Sequence, residues 1–328
     1  MKIRQIREAI ENLIDYSRHQ SLKELNAIKH IGIDEDKKTV ILIITIGAKG
    51  GVAEQSLRKE LAKVIKLQLG YRGIKIQLEE ERRIINSKTK FILVASGKGG
   101  VGKSMVSINL ALALRRLQKK VALIDADIYC GTIPKMLEME IIPPEITEQG
   151  RIIPFKKDGI EVIATEFFSE PGKAILWRGN LLKSMLSNFF FQVEWNPQLE
   201  YVIIDMPAGT GDIMSDISEM IPRALVLLVT TPHIIATDIT IKTGNGYREL
   251  HHEIIGLVEN MAYLQINELN EEMYLCGKGG GLYVADELGI ELLATIPIAK
   301  PKKHLMIFEE DEEVGQIFND LAQFILLQ

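Results

Sequence analysis

Nine residues, SGKGGVGKS from Ser96 to Ser104, put four glycines, two lysines and two serines into one short stretch. Gly97, Gly99, Gly100 and Gly102 let backbone N–H groups approach an anion closely, and Val101 contributes its backbone to the same cradle. Lys103 and Ser104 complete the pattern G-x-x-x-x-G-K-S, in which the lysine reaches the β and γ phosphates of a nucleotide and the hydroxyl ligates Mg²⁺. Such a site needs a carboxylate at the end of a neighbouring strand. YVIIDMPAGTGD supplies Asp205 after four apolar residues, followed by a turn whose Gly209 has an amide to offer the γ phosphate. VALIDADIY brings Asp125 and Asp127 to the end of another apolar run, where they would orient an attacking water or touch the metal shell. Lys98 is a second lysine that the phosphate pattern does not require.

The elements around these residues suit them. The loop follows the apolar run FILVAS and opens a helical stretch, KSMVSINLALALRRLQ, so the positive end of a helix dipole faces the anion. From Phe91 onward the chain alternates short β-branched runs (FILVAS, KVALID, EVIAT, YVIID, ALVLLVTT, IIGLVEN, LLATIP) with helical segments. Continuous apolar strands of this kind predict an α/β domain with a doubly wound, mostly parallel sheet covered on both faces. Residues 1–78 read as a separate small α/β module. Ile3, Ile6, Ile10, Leu13 and Ile14 recur at helical spacing; KHIGI and TVILIITI flank the polar turn DEDKK as a hairpin. A helix from about Ala53 to Leu69, carrying Leu57, Leu61, Ile65 and Leu67, then leads to a strand GIKIQL. The charged stretch EEERRIINSKTK, 79–90, reads as a linker, which leaves 91–328 as the phosphate-binding domain.

The chain has 328 residues, 46% hydrophobic and 25% charged, with a formal net charge of −5. No apolar run approaches the roughly 18 residues a membrane span needs, and the start, MKIRQIREAIENLID, scatters charge through its apolar positions, unlike a signal peptide. A cytoplasmic protein without a membrane partner is expected. Two cysteines far apart, Cys130 and Cys276, fit a reducing compartment, and the acidic balance gives no global reason to expect nucleic acid. The six histidines show no i, i+4 pair on a helical face. The basic cluster Arg115, Arg116, Lys119 and Lys120, and PKKH at 301–304, read as solvated ends rather than DNA contacts.

Together SGKGGVGKS, DADIY, WRG at Trp177 to Gly179, IIDMPAGTGD, TTP at Thr230 to Pro232, VENM at Val258 to Met261 and GKGGG at Gly277 to Gly281 resemble the Mrp/ApbC group of iron-sulfur cluster carrier ATPases. These belong to the deviant Walker ATPases that include MinD, ParA and the nitrogenase iron protein. The resemblance covers residues 91 to about 325 and implies a Mg²⁺-dependent ATPase working as a homodimer and serving iron-sulfur client proteins. By that resemblance Lys98 is the signature lysine that reaches the nucleotide of the other subunit, Asn260 reads the adenine edge and Pro297 walls the base pocket. The N-terminal module looks like the small α/β domain often fused to these proteins.

The sequence departs from the pattern at one place. Family members carry a C-x-x-C between the ENM and GKGGG segments, whereas this chain has NMAYLQINELNEEMYLCGKGGG, with Cys276 alone. Two copies of one thiolate supply half the ligands of a bridging four-iron cluster, and Asn270, Glu271 and Glu272 are harder donors. Cys130, in the DADIYC loop, is a poor ligand candidate. Three readings therefore stand: a cluster-carrier ATPase, an ATP-controlled regulator of the SalA type that binds DNA, and a small-molecule kinase or ligase of the dethiobiotin synthetase kind, which Lys98 with the WRG and ENM segments disfavours.

Overall fold

A computed structural model of the chain describes residues 2–16, 20–47, 51–80, 88–129, 131–169, 180–266 and 271–328. It divides into two compact units, Met1–Arg83 and Ile84–Gln328, each with its own hydrophobic core.

In the first unit α1 (Lys2–Ile10) is followed by a short strand pair, β1 (Ile14–Asp15) and β2 (Gln20–Ser21), then by the hairpin of β3 (Ile28–Asp34) and β4 (Thr39–Ile46). Helix α2 (Gly51–Lys63) and β5 (Gly73–Glu80) complete it. β4 lies in the middle, antiparallel to β3 and parallel to β5. Its alternate residues Val40, Leu42, Ile44 and Ile46 are buried with Leu57, Leu61 and Ile65 in one core, the period-2 and period-3.6 faces meeting as their patterns require. The helix expected to reach Leu69 stops being α-helical at Lys63 and continues as one π-helical turn, Val64–Gln68. That wider turn keeps Val64 and Ile65 inside but rotates Leu67, read as part of the apolar face, out to solvent. β5 runs into the stretch read as linker, whose residues 81–87 lie outside the described residues.

The second unit opens with β6 (Lys90–Ala95), α3 (Lys103–Arg116), β7 (Val121–Asp125), α4 (Ile133–Met136), β8 (Phe155–Lys157) and β9 (Ile160–Ile163). It continues through α5 (Asn180–Phe191), β10 (Tyr201–Asp205), α6 (Asp212–Met220), β11 (Leu225–Thr230), α7 (Ile234–Glu249) and β12 (Glu253–Glu259). The last elements are β13 (Leu264–Ile266), β14 (Glu271–Met273), α8 (Gly280–Leu288), β15 (Leu292–Thr295) and α9 (Glu313–Leu327). One sheet has the order β15-β12-β11-β6-β10-β7-β9-β8, parallel throughout except for β8, which pairs antiparallel to β9 at the edge. All seven apolar runs form strands of this sheet. α3 packs on β6, β7, β10 and α9, while α7 packs on β11, β12 and α8, so helices cover both faces. In register, Asp205 lies beside Asp125 on one side and Val94 on the other. The loops leaving β6, β7 and β10 therefore rise from adjacent carboxyl ends, the position where an open α/β sheet binds its ligands.

A buried histidine joins three elements of this unit. His252 Nδ1 accepts from the Ala224 N–H at 3.3 Å, and its Nε2 lies 2.7 Å from Ser218 Oγ, which donates to the Met214 carbonyl at 2.7 Å. This chain of bonds fixes the neutral tautomer with the proton on Nε2. Burial lowers the affinity of His252 for a second proton, and neighbouring His251 acts in the same direction. The unfolded chain therefore binds more protons once pH falls below about 6.5, the ordinary histidine value, and stability declines from there downward. Calorimetric melting between pH 8 and pH 5 is expected to show that decline in the wild type and a shallower one in His252→Gln; equal slopes would place the acid sensitivity elsewhere.

Candidate functional site

Between the end of β6 and the first turn of α3 the chain makes a tight loop. Gly102 caps the helix at φ +86°, in the left-handed region, and a Cβ there would collide with the Asn260 side chain. The helix that follows delivers three side chains to one carboxylate. Ser104 Oγ donates to Asp205 Oδ2 at 2.6 Å, Ser107 Oγ donates to Asp205 Oδ1 at 2.6 Å, and Lys103 Nζ stands 2.8 Å from Asp205 Oδ2. Asp205 is fully buried and Lys103 is 6% exposed. Lys103 Nζ has charge contact with Asp205 but no aligned hydrogen-bond acceptor, so a buried ammonium retains unused donors at the loop. Cβ atoms built at Gly99 or Gly100 meet nothing within 4 Å, so the outer wall of the loop is open.

The other strand-end residues take more varied places. Asp125 is buried, and its carboxylate accepts from the backbone N–H groups of Asp127 (3.0 Å), Thr132 (3.1 Å) and Ile133 (3.2 Å). It thus holds the loop from β7 to α4 and caps that helix, beside the strand end that bears Asp205. Burial drives its carboxyl well above the usual carboxylate range, the charges of Asp205 and Glu166 add to that, and Lys103 opposes it. Asp127 is half-buried on the same loop. Gly209, at φ +91°, donates its N–H to the Ser96 carbonyl at 2.9 Å, so the amide assigned to a phosphate ties two loops together here.

Asn260, 2% exposed, donates from Nδ2 to the Val101 carbonyl at 2.8 Å. This buried contact braces the phosphate loop. Gly97 and Val101 are buried; Pro297 is buried beside the end of β12, where Ile296 donates to the Glu259 carbonyl at 2.8 Å. Lys98 is exposed at the crest of the loop and has no acidic partner among the described residues.

Cys276 is a half-exposed free thiol in the turn between β14 and α8. Where the family pattern places C-x-x-C, the strands β13 and β14 pair antiparallel, and Lys278 Nζ sits 4.3 Å from the centre of the Tyr274 ring. Glu271 and Glu272 are exposed on β14, and among the described residues no group of three or more His, Cys, Asp or Glu side chains is gathered to hold a metal. Cys130, Asn270 and the WRG segment lie outside the described residues. The basic cluster is built into the fold: Arg116 donates to the Phe308 carbonyl at 2.6 Å and Lys119 pairs with Glu200 at 3.0 Å. Sequence reasoning missed Ser107 and Glu259. Ser107 falls four residues after Lys103 in a run that otherwise reads as apolar, and that i, i+4 spacing was the available signal. Glu259 accepts the Gly281 N–H at 2.6 Å, a contact no local pattern announces.

The donor set fits a nucleotide with Mg²⁺. A buried ammonium with free donors, a helix N-terminus and an open glycine wall suit phosphate, and a serine hydroxyl beside a buried carboxylate supplies hard oxygen ligands.

Comparison with known proteins agrees with this geometry. The model of a ParA-type family described as NUBPL iron-transfer P-loop NTPase matches residues 87–324. An iron-sulfur cluster carrier protein of Bacillus subtilis is 35% identical over 98% of this chain and 96% of its own length. The iron-sulfur cluster transfer protein NUBPL of mouse is 34% identical over 72% of each. Among solved structures, a nucleotide-binding protein from Archaeoglobus fulgidus in complex with ADP superposes with TM-score 0.57 at 27% identity, covering 76% of this chain and 91% of that one. The cell division ATPase MinD of Pyrococcus furiosus shares the fold, with TM-score 0.51 at 20% identity over 73% of this chain and 98% of its own. The chain belongs to the NUBPL-type iron-transfer P-loop NTPases, the family of the Mrp/ApbC iron-sulfur cluster carriers.

Proposed function

We propose that this chain is a Mg²⁺-dependent ATPase that acts as a homodimer, turns over slowly and uses ATP to control its conformation in iron-sulfur cluster assembly. The observation that carries the reading is the convergence of Lys103, Ser104 and Ser107 on the buried carboxylate of Asp205 beneath the glycine loop. Lys103 would exchange its contact with Asp205 for the β and γ phosphates, while the loop amides hold the same phosphates from the other side. Ser104 and Asp205 would hold Mg²⁺, which neutralises phosphate charge when bound. The buried carboxylate of Asp205 beside the Ser104 hydroxyl presents hard oxygen donors, which favours a divalent cation. Slow turnover follows from the engagement of Asp125 by three backbone N–H groups, which leaves it unfit as a base. The ADP bound to the Archaeoglobus relative supports a nucleotide at this place.

Lys98 would act across a dimer, because its exposed ammonium has no acidic partner on its own subunit among the described residues. Asn260 and Pro297 would border the base from the end of β12. The first unit would be the small domain fused to these ATPases; the Bacillus relative aligns across it. Cys276 standing alone supports a second reading, an ATP-controlled regulator that binds DNA and has lost the cluster, in place of delivery to client proteins.

Calorimetry is expected to show Mg-ATP binding that Lys103→Ala weakens by about 100-fold or more, the loss of one charge-assisted phosphate contact; wild-type affinity in that variant would refute the site. Lys98→Ala should keep binding and lose about 100-fold or more in hydrolysis rate, and unchanged turnover would make Lys98 an ordinary surface residue. The purified protein should be colourless, and anaerobic reconstitution should yield less than one four-iron cluster per dimer, because thiolate ligands are too few. A stoichiometric cluster removed by Cys276→Ser would instead establish this chain as a carrier.

A further inference from the structure

The end of β12 carries two adjacent polar residues buried on opposite sides of one strand. Asn260 donates to the Val101 carbonyl of the phosphate loop at 2.8 Å, and its backbone N–H bonds the Thr230 carbonyl at 2.8 Å. Glu259, 5% exposed, accepts the Gly281 N–H at 2.6 Å in the first turn of α8. Side chains alternate along a strand, so one residue faces the phosphate loop while its neighbour faces the turn that contains Cys276, Lys278 and the start of α8. Both contacts are polar bonds in a dry environment, where losing a partner is costly and geometry is tightly held. The strand between them is rigid: Val258 and Glu259 pair in register with Val229 and Thr230 on one side and with Ala294 and Thr295 on the other.

We infer that Glu259 is a positioning residue that couples the nucleotide loop to the thiol-bearing turn, so that occupation of the phosphate site changes the setting of Cys276. This rests on the ATPase reading above. Phosphate binding draws the Gly97–Gly102 backbone toward the anion and so loads the Asn260–Val101 bond. A shift at residue 260 moves residue 259 with it, since they share a peptide plane. Gly281 follows through its hydrogen bond, and the turn from Leu275 to Gly279 is continuous with Gly281. The coupling is reciprocal in free energy: whatever modifies the turn changes nucleotide affinity by the same factor. Removing the Glu259 carboxylate leaves nucleotide contacts untouched and breaks the link at one bond.

The test uses the full chain carrying Cys130→Ser, so that Cys276 is its one thiol, and measures the rate of maleimide labelling alone, with Mg-ADP and with a non-hydrolysable Mg-ATP analogue. Calorimetry on the same samples records binding. Nucleotide is expected to change the labelling rate by about 5-fold or more, the lower end of ordinary coupling between sites. Glu259→Ala should bind nucleotide yet label at one rate in all three conditions, whereas Glu259→Gln, whose amide oxygen still accepts from Gly281, should restore the response. A merely structural loss in the alanine variant would change the labelling rate by the same factor in all three conditions and leave the nucleotide response intact, and that result overturns the inference. So does a nucleotide response that Glu259→Gln fails to restore. Binding without any change of labelling in the parent chain refutes the coupling alone; absence of binding there refutes the ATPase reading and the coupling with it.

Discussion

The carboxylate of Asp205 is the constraint on which the second unit depends. It is a charge buried at the end of a central strand, where desolvation costs several kcal/mol unless partners replace water. Those partners are Lys103, Ser104 and Ser107, all from the first turn and a half of one helix. α3 can therefore enter the fold only with its N-terminus above β10, and the chain must turn from β6 within a few residues to bring it there. Only a glycine-rich sequence makes that turn, because a side chain at 102 would strike Asn260. One buried charge thus sets the helix position, the loop length and the loop composition together.

Much of this could be read from the residues in order. The seven apolar runs, the loop and Asp205 are local signals, each contained in fewer than ten residues, and the sheet follows from them by the logic of parallel strands covered on both faces. The elements that escaped notice lack such signals. β8 is three residues long, two of them lysine, and exists because β9 offers an edge. β13 and β14 are three residues each, and the runs LQI and EEM show no alternation to distinguish them from a loop. The π-helical turn after Lys63 keeps apolar residues at helical spacing while changing which of them face inward, and composition alone cannot report that.

Within the site, legibility followed the same division. Lys103, Ser104 and Asp205 come together as their spacing announces. Asp125, Gly209 and Asn260 have polar groups of the right kind, but the fold commits each to a neighbouring backbone: three N–H groups, the Ser96 carbonyl and the Val101 carbonyl. Long-range hydrogen bonds of this sort are decided by tertiary packing, which a linear reading does not contain. The turn around Cys276 shows the complementary limit: the fold is that of the family, while one thiol stands in the stretch where the family pattern has two, next to a tyrosine and a lysine stacked together. Fold membership and the chemistry of a single turn are separable properties.

The bond between Val101 and Asn260 joins residues 159 positions apart. A ribosome adding about 5–20 residues per second takes roughly 8–30 s to cover that distance. During synthesis the glycine loop therefore leaves the exit tunnel long before its brace exists, with Asp205 arriving partway through the interval. For much of that time β6 lacks its sheet partners β10 and β11, and completion of the anion cradle waits on the strand that carries both braces. The order of translation thus makes the nucleotide site one of the last parts of the unit to become rigid.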